Sequence, residues 1–174
     1  MNYTREKLLN GNKRYLISSN SNLRIDTAEN GQKPYAVVLC CSDSRVIPEK
    51  IFDADIGELF VIRVAGNVLD NHQMGSIEYA LKHLNCNHII VLGHTGCGAV
   101  HAAITKKGDG FIKHITDEIC KAIGDEKDEY NACKLNALYA ANRLKTELLE
   151  NSSASNIVIE CAIYDIKSGE VEWL

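Results

Sequence analysis

Four short apolar runs limit what this chain can fold into: residues 34–40, 58–64, 88–92 and 157–164. Each is apolar at consecutive rather than alternate positions, the pattern of a strand covered on both faces. Between them the apolar residues step at three and four instead. Met74, Ile77, Leu81 and Leu84 mark a helix over 70–84, and Cys133, Ala137, Ala141, Leu144 and Leu148 mark another over 125–150. Shorter helices are expected over 46–52, with Pro48 in the first turn, over 99–104 and over 111–123. Asp165 to Gly169 turns the chain into 171–174, an antiparallel edge. This alternation predicts an α/β fold: a mostly parallel four-stranded sheet with an antiparallel edge strand and helices on both faces.

The 174 residues suffice for a single domain with a full core, and no internal repeat divides them. Residues 2–19 read as a polar helix whose sparse apolar face is Leu8, Leu9, Tyr15 and Leu16, followed by a polar linker over 18–22. A helix with so little to bury is expected to pack on a second subunit, so 1–22 is an N-terminal helical arm. Residues 151–156 are a loop; its Asn151-Ser152-Ser153 matches a glycosylation acceptor, which means nothing without secretion.

A net charge of −4 without a basic stripe argues against nucleic acid and anionic membranes as partners. No run of 18 apolar residues spans a bilayer, and the start, Met-Asn-Tyr-Thr-Arg-Glu-Lys, is no secretion leader, so a cytoplasmic location is expected. The odd count of seven cysteines fits buried thiols and metal ligands better than a disulfide framework. Cys40, Cys86, Cys120, Cys133 and Cys161 read as buried thiols.

The other two cysteines lie in loops that follow apolar runs, and ligands of parallel sheets bind beyond such carboxyl ends. One loop is Cys41-Ser42-Asp43-Ser44-Arg45; the other is Gly93-His94-Thr95-Gly96-Cys97-Gly98. Zinc takes thiolate and imidazole ligands, commonly four in a tetrahedron, and Cys41, His94 and Cys97 supply three. Two thiolates cancel the ion's charge, so a bound water there is less acidic than on a three-histidine site and activity should favour neutral to alkaline pH. Arg45 can grip Asp43 through both carboxylate oxygens. Asp43 then accepts a hydrogen bond from a metal-bound hydroxide, or swings onto the metal as a fourth ligand, or is simply a capping residue in a surface salt bridge. The residues leave all three open.

Cys41-Ser-Asp-Ser-Arg45 with His94-Thr-Gly-Cys97 resembles the β-class carbonic anhydrases, whose signature is C-x-D-x-R followed by H-x-x-C. The resemblance extends through Gly57–Asn67, Ser76–Ala80, Val91–Val100 and the Tyr164–Gly169 ending, and covers about 35–174. It implies Zn²⁺ on Cys41, His94 and Cys97, with water or Asp43 completing the shell. It implies attack of zinc hydroxide on CO₂ to give bicarbonate and a proton, with Asp43 and Arg45 as the orienting or gating dyad. Val64, Gly66 and Gly98 would border the CO₂ pocket, with Tyr79 near it. The family also implies homodimers or dimers of dimers, embraced by the N-terminal helices. Two features depart from the pattern. The glutamine that many members carry before the second strand is absent from Asp53-Ala54-Asp55-Ile56, and the only tryptophan is Trp173 rather than one near the N-terminus. Arg63 reads as a salt-bridge partner, and His72 and His101 are proton-shuttle candidates by proximity alone. Two alternatives stand beside CO₂ hydration: hydrolysis of COS or CS₂ on the same zinc, and a catalytically silent zinc-binding interaction module.

Overall fold

The computed structural model describes residues 3–18, 20–151 and 156–174. In chain order the helices are α1 (Tyr3–Ser18), α2 (Ser21–Asn30), α3 (Pro48–Ile51) and α4 (Asn71–His83). After these come α5 (Gly98–Ile104), α6 (Ile112–Ile123) and α7 (Glu129–Asn151). The strands are β1 (Ala36–Cys40), β2 (Leu59–Arg63), β3 (His88–His94), β4 (Val158–Tyr164) and β5 (Val171–Trp173). They form one sheet in the order β2-β1-β3-β4-β5, with the first four parallel and β5 antiparallel to β4, as the alternation of patterns predicts.

β1 is buried at every position because the two sheet faces it serves are both covered. Val37 and Leu39 join Ile89, Val91 and Ile163 in a core completed by Ile77 of α4, Val100 of α5, Ile119 of α6 and Ala137 and Leu144 of α7. Val38 and Cys40 point the other way, into a smaller core with Leu92, Ala162 and Val46, flanked by Ile51 and Phe52. The continuous apolar runs are therefore two alternating sets, one for each face.

The chain leaves β1 for β2 on one side and then crosses back to β3 on the other. The order of strands reverses between β1 and β3, the kind of boundary at whose carboxyl ends open α/β sheets bind ligands. Cys40 pairs with Leu92 across that boundary, so Cys41 stands one step beyond β1 while β3 still has Gly93 and His94 to run. β3 continues past the expected stop at Leu92 because Gly93 and His94 keep their pairing with Ile163 and Tyr164 of β4.

Gly93 also fixes how closely α7 approaches the sheet. A Cβ there would lie 2.7 Å from Ile163 Cδ1 and 3.1 Å from Ala137 Cβ. Gly93→Ala should therefore cost about 1–3 kcal/mol by overpacking. In a chain this size that lowers Tm by very roughly 2–10 °C, measurable by calorimetry. An unchanged Tm would show that α7 yields more easily than its packing suggests.

Two further elements differ from expectation. The linker over 18–22 gives way to α2, because Asn20 caps a new helix by accepting a hydrogen bond from the Leu23 amide at 3.1 Å. α7 begins at Glu129 rather than near 125, after Asp128 accepts from the Asn131 amide. Residues Met1–Gln32 and Lys33–Leu174 form two compact units. Within the first, neither helix buries a residue, and Leu8, Leu16 and Ile17 are exposed. The expected loop over 151–156 lies for the most part outside the described residues. Cys40, Cys86, Cys133 and Cys161 are buried as expected, whereas Cys120 is exposed, since it falls on the outer side of α6 from Ile119 and Ile123.

Candidate metal centre

His94 is the last residue of β3 and is almost fully buried, at 1% exposure. Its Nδ1 lies 3.0 Å from the carbonyl of Thr95. A carbonyl only accepts, so Nδ1 carries the proton and Nε2 presents a lone pair. Nε2 is buried and has no hydrogen-bonding partner. An orphaned acceptor of this kind costs free energy unless something binds it. The loop holding it is tied to the end of the sheet, with the Thr95 amide donating to the Tyr164 carbonyl and the Ile166 amide to Thr95 Oγ1. Asp165 holds that turn by accepting from the Lys167 and Ser168 amides.

Cys97 caps the start of α5, after Gly96 has turned the chain at φ +64°. Cys41 Sγ lies 4.0 Å from Cys97 Sγ, and the ligating atoms of Cys41, His94 and Cys97 all fall within 4.8 Å of one another. The amides of Gly66 and Asp43 donate to Cys41 Sγ at 3.2 and 3.4 Å. The hydrogen bond shared with Cys97, joined by these two amides, pulls the Cys41 thiol well below its usual range against the opposing effect of burial. The same sulfur contact and burial push Cys97 up. Two buried thiolates this close need a cation between them. Two sulfurs and a neutral imidazole nitrogen suit a thiophilic divalent ion and leave its fourth position open.

Asp43 stands at the rim of this cluster. Arg45 grips it with Nε on Oδ1 at 2.9 Å and Nη2 on Oδ2 at 2.7 Å, and the Arg45 amide adds a third bond to Oδ1. Those bonds to Arg45 hold the Asp43 carboxyl well below the usual carboxylate range. Asp43 is partly buried, and Arg45 Nη2 also reaches back to the Gly96 carbonyl at 3.4 Å.

Of the residues expected around the site, Gly66 is placed most directly. It takes φ +69° in the 3₁₀ turn after β2 and aims its amide at Cys41. Val64 accepts from the amides of Ser42 and Asn67 through its carbonyl. Gly98 opens α5 with free space where a side chain would stand. Tyr79 is half exposed on α4, its ring against Phe60 and His83. His72 stands in solvent beside Asp70, and His101 Nδ1 lies 2.6 Å from Glu129. In the segment that lacks the glutamine, Glu58 Oε2 accepts from the Asp55 amide and Asp55 Oδ1 from the Ile56 amide. Trp173 is half exposed on β5.

Two supports escape the sequence. Arg63, expected in a salt bridge, instead donates to the carbonyls of Cys41 and Asp43, because the end of β2 lies level with that loop. Asn136, buried on α7, donates to the Gly66 carbonyl at 2.8 Å and steadies the turn that serves Cys41. The only hint of either was a polar residue within an apolar segment, and such a residue names no partner 22 or 70 positions away.

A buried Cys–His–Cys cluster at the switch point of a parallel sheet defines the class. Comparison with known proteins narrows it. A family model described as carbonic anhydrase matches residues 36–171. Carbonic anhydrase of Mycolicibacterium smegmatis is 36% identical over 154 residues, 81% of this chain and 75% of that protein. Carbonic anhydrase 2 of Mycobacterium tuberculosis is 45% identical over 98 residues, 53% of this chain, and there the match spans about half of the relative's length, 47%. The crystal structure of the β-carbonic anhydrase CafA of Aspergillus fumigatus superposes with a TM-score of 0.87 at 26% identity, over 98% of this chain and 90% of that one. The chain belongs to the β-class carbonic anhydrase family.

Proposed function

We propose that this chain interconverts CO₂ and bicarbonate on a zinc ion held by Cys41, His94 and Cys97. The observation that carries the reading is the buried, unpartnered Nε2 of His94, its tautomer set by Thr95, converging on two cysteine sulfurs. Zn²⁺ bound there would supply a water acidic enough to serve as a nucleophile near neutral pH. The two thiolates offset the charge of the ion and move that nucleophile's formation toward alkaline pH. Asp43, kept ionised by Arg45, offers an oxygen that accepts a hydrogen bond and turns the nucleophile's lone pair toward CO₂. Swung off Arg45, the same carboxylate would compete for the fourth position and shut the site. Val64, Gly66 and Gly98 would border the substrate, which is small, apolar and needs few polar contacts.

Stopped-flow CO₂ hydration across pH, with metal analysis on the same sample, tests this reading. The expected result is about one zinc per chain and a rate that climbs toward alkaline pH. Metal-replete protein with no CO₂ exchange at alkaline pH would make the zinc structural. Sulfide release from COS or CS₂ without CO₂ hydration would change the substrate.

The same reading assembles the chain into dimers or dimers of dimers. α1 supports this, since it buries none of its residues and exposes Leu8, Leu16 and Ile17. Light scattering at micromolar concentration should return at least twice the mass of the chain; a monomer would refute it. A cytoplasmic setting fits the seven free cysteines. No helix among the described residues is long and apolar enough to cross a membrane.

A further inference from the structure

Arg63 closes β2 at a level with Cys40, so its guanidinium reaches the loop that leaves β1. Nε donates to the Cys41 carbonyl at 3.2 Å and Nη2 to the Asp43 carbonyl at 2.7 Å. These two carbonyls bracket the short step from a sulfur of the metal cluster to the carboxylate that stands over it. The end of β2 ties the step a second time, where the Ser42 amide donates to the Val64 carbonyl at 3.3 Å. The Asp43 side chain is held differently. Its partner Arg45 is 54% exposed at the side chain, and the contact behind it is a long one, 3.4 Å to the Gly96 carbonyl. Two arginines therefore share Asp43, with Arg45 on the carboxylate and Arg63 on the backbone.

We propose that Arg63 is a positioning residue that keeps the Asp43 carboxylate on Arg45 and off the metal by pinning the backbone between Cys41 and Asp43. The inference rests on the zinc-site reading above and deepens it by naming what holds the site open. A carboxylate competes with any incoming ligand for the fourth position of a divalent cation. While Asp43 is bonded to Arg45, that competition is lost unless the backbone shifts toward the ion. A guanidinium that donates to both carbonyls opposes the shift in a way a flexible ammonium cannot, since one rigid fork fixes two acceptors at once. Removing it loosens the loop, raises the share of molecules with Asp43 on the metal, and lowers apparent affinity for an external ligand in proportion.

The test uses the full chain loaded with Co²⁺ in place of zinc, at one fixed pH near neutrality, with thiocyanate as the probe of an open fourth position. The thiolate-to-cobalt band reports ligation by the cysteines, and the visible d–d bands report the fourth ligand. Arg63→Gln is expected to keep its cobalt and its Tm, to bind thiocyanate about tenfold more weakly, and to lose kcat by a similar factor with a smaller change in KM. Arg63→Lys should fall between the two. Asp43→Asn removes the competing carboxylate, so adding Arg63→Gln to it should leave thiocyanate affinity where Asp43→Asn alone sets it. Equal weakening with and without the Asp43 carboxylate, or no weakening at all, would overturn the proposal. So would loss of cobalt together with a lowered Tm, which would assign Arg63 to holding the fold. Absence of the thiolate-to-cobalt band from the unmutated protein would overturn the metal-site reading itself, and this inference with it.

Discussion

Replacing Cys41 with serine is expected to empty the metal centre and abolish CO₂ hydration, a drop of at least about 10³-fold, because water loses the ion that acidifies it. Serine keeps the size of the side chain but not the charge, since a hydroxyl does not ionise where a thiol drawn below its usual range can. The remaining pair, His94 and Cys97, would offer one nitrogen and one sulfur, half of a tetrahedral shell. The amides of Gly66 and Asp43 that now face a sulfur would face a neutral oxygen, and their preorganisation would be wasted. Cys161→Ser is the matched control. It is equally buried, lies in β4 away from the cluster, and has its thiol pushed up to about 11 by burial. It should lose some stability and keep its zinc. Metal analysis of dialysed protein, with melting curves for both variants, decides the matter. Cys41→Ser that retains about one zinc per chain and normal turnover would sink the assignment.

Asp43→Asn carries the second large effect. The asparagine keeps the shape of the side chain and one of its oxygens, while the fork of Arg45 loses its charged partner and half of its bidentate match. Metal content should stay near that of the unmutated protein, because Cys41, His94 and Cys97 are left in place and Asp43 is held by Arg45. kcat/KM for CO₂ hydration should fall about 10²–10³-fold, the usual cost of losing one preorganised polar group at a reacting centre. Stopped-flow kinetics and metal analysis on one preparation separate the two quantities. Activity within about twofold of the original would return Asp43 and Arg45 to the role of a surface pair, whose typical worth is small.

Both experiments concern residues that were legible in the sequence, and the reason lies in how short-range their signals are. Cys41, Asp43 and Arg45 fall within five consecutive residues, and His94 and Cys97 within four, each set placed directly after an apolar run. The supports were not legible. Arg63 acts across 22 positions on Cys41 and Asn136 across 70 on Gly66, and neither spacing repeats as a period that a helix or strand would imprint. α2 was missed for a different reason. It buries nothing, so no apolar rhythm marks it, and only the cap at Asn20 sets where it begins.

By itself the sequence determined the sheet, its parallel sense, the two loops and the three residues that the metal-site reading uses. Those follow from which residues must leave water and from the chemistry of sulfur and imidazole. Only the tertiary structure decided that the strand order reverses between β1 and β3, which brings Cys41 beside His94, 53 positions further along the chain. It also decided that His94 turns Nδ1 to Thr95 and leaves Nε2 bare, and that Arg63 grips backbone rather than a carboxylate. Hydrogen bonds to backbone carbonyls depend on where a peptide group stands and not on which residue carries it. Such bonds leave no letter at the accepting position, and a sequence cannot display them until the chain has folded.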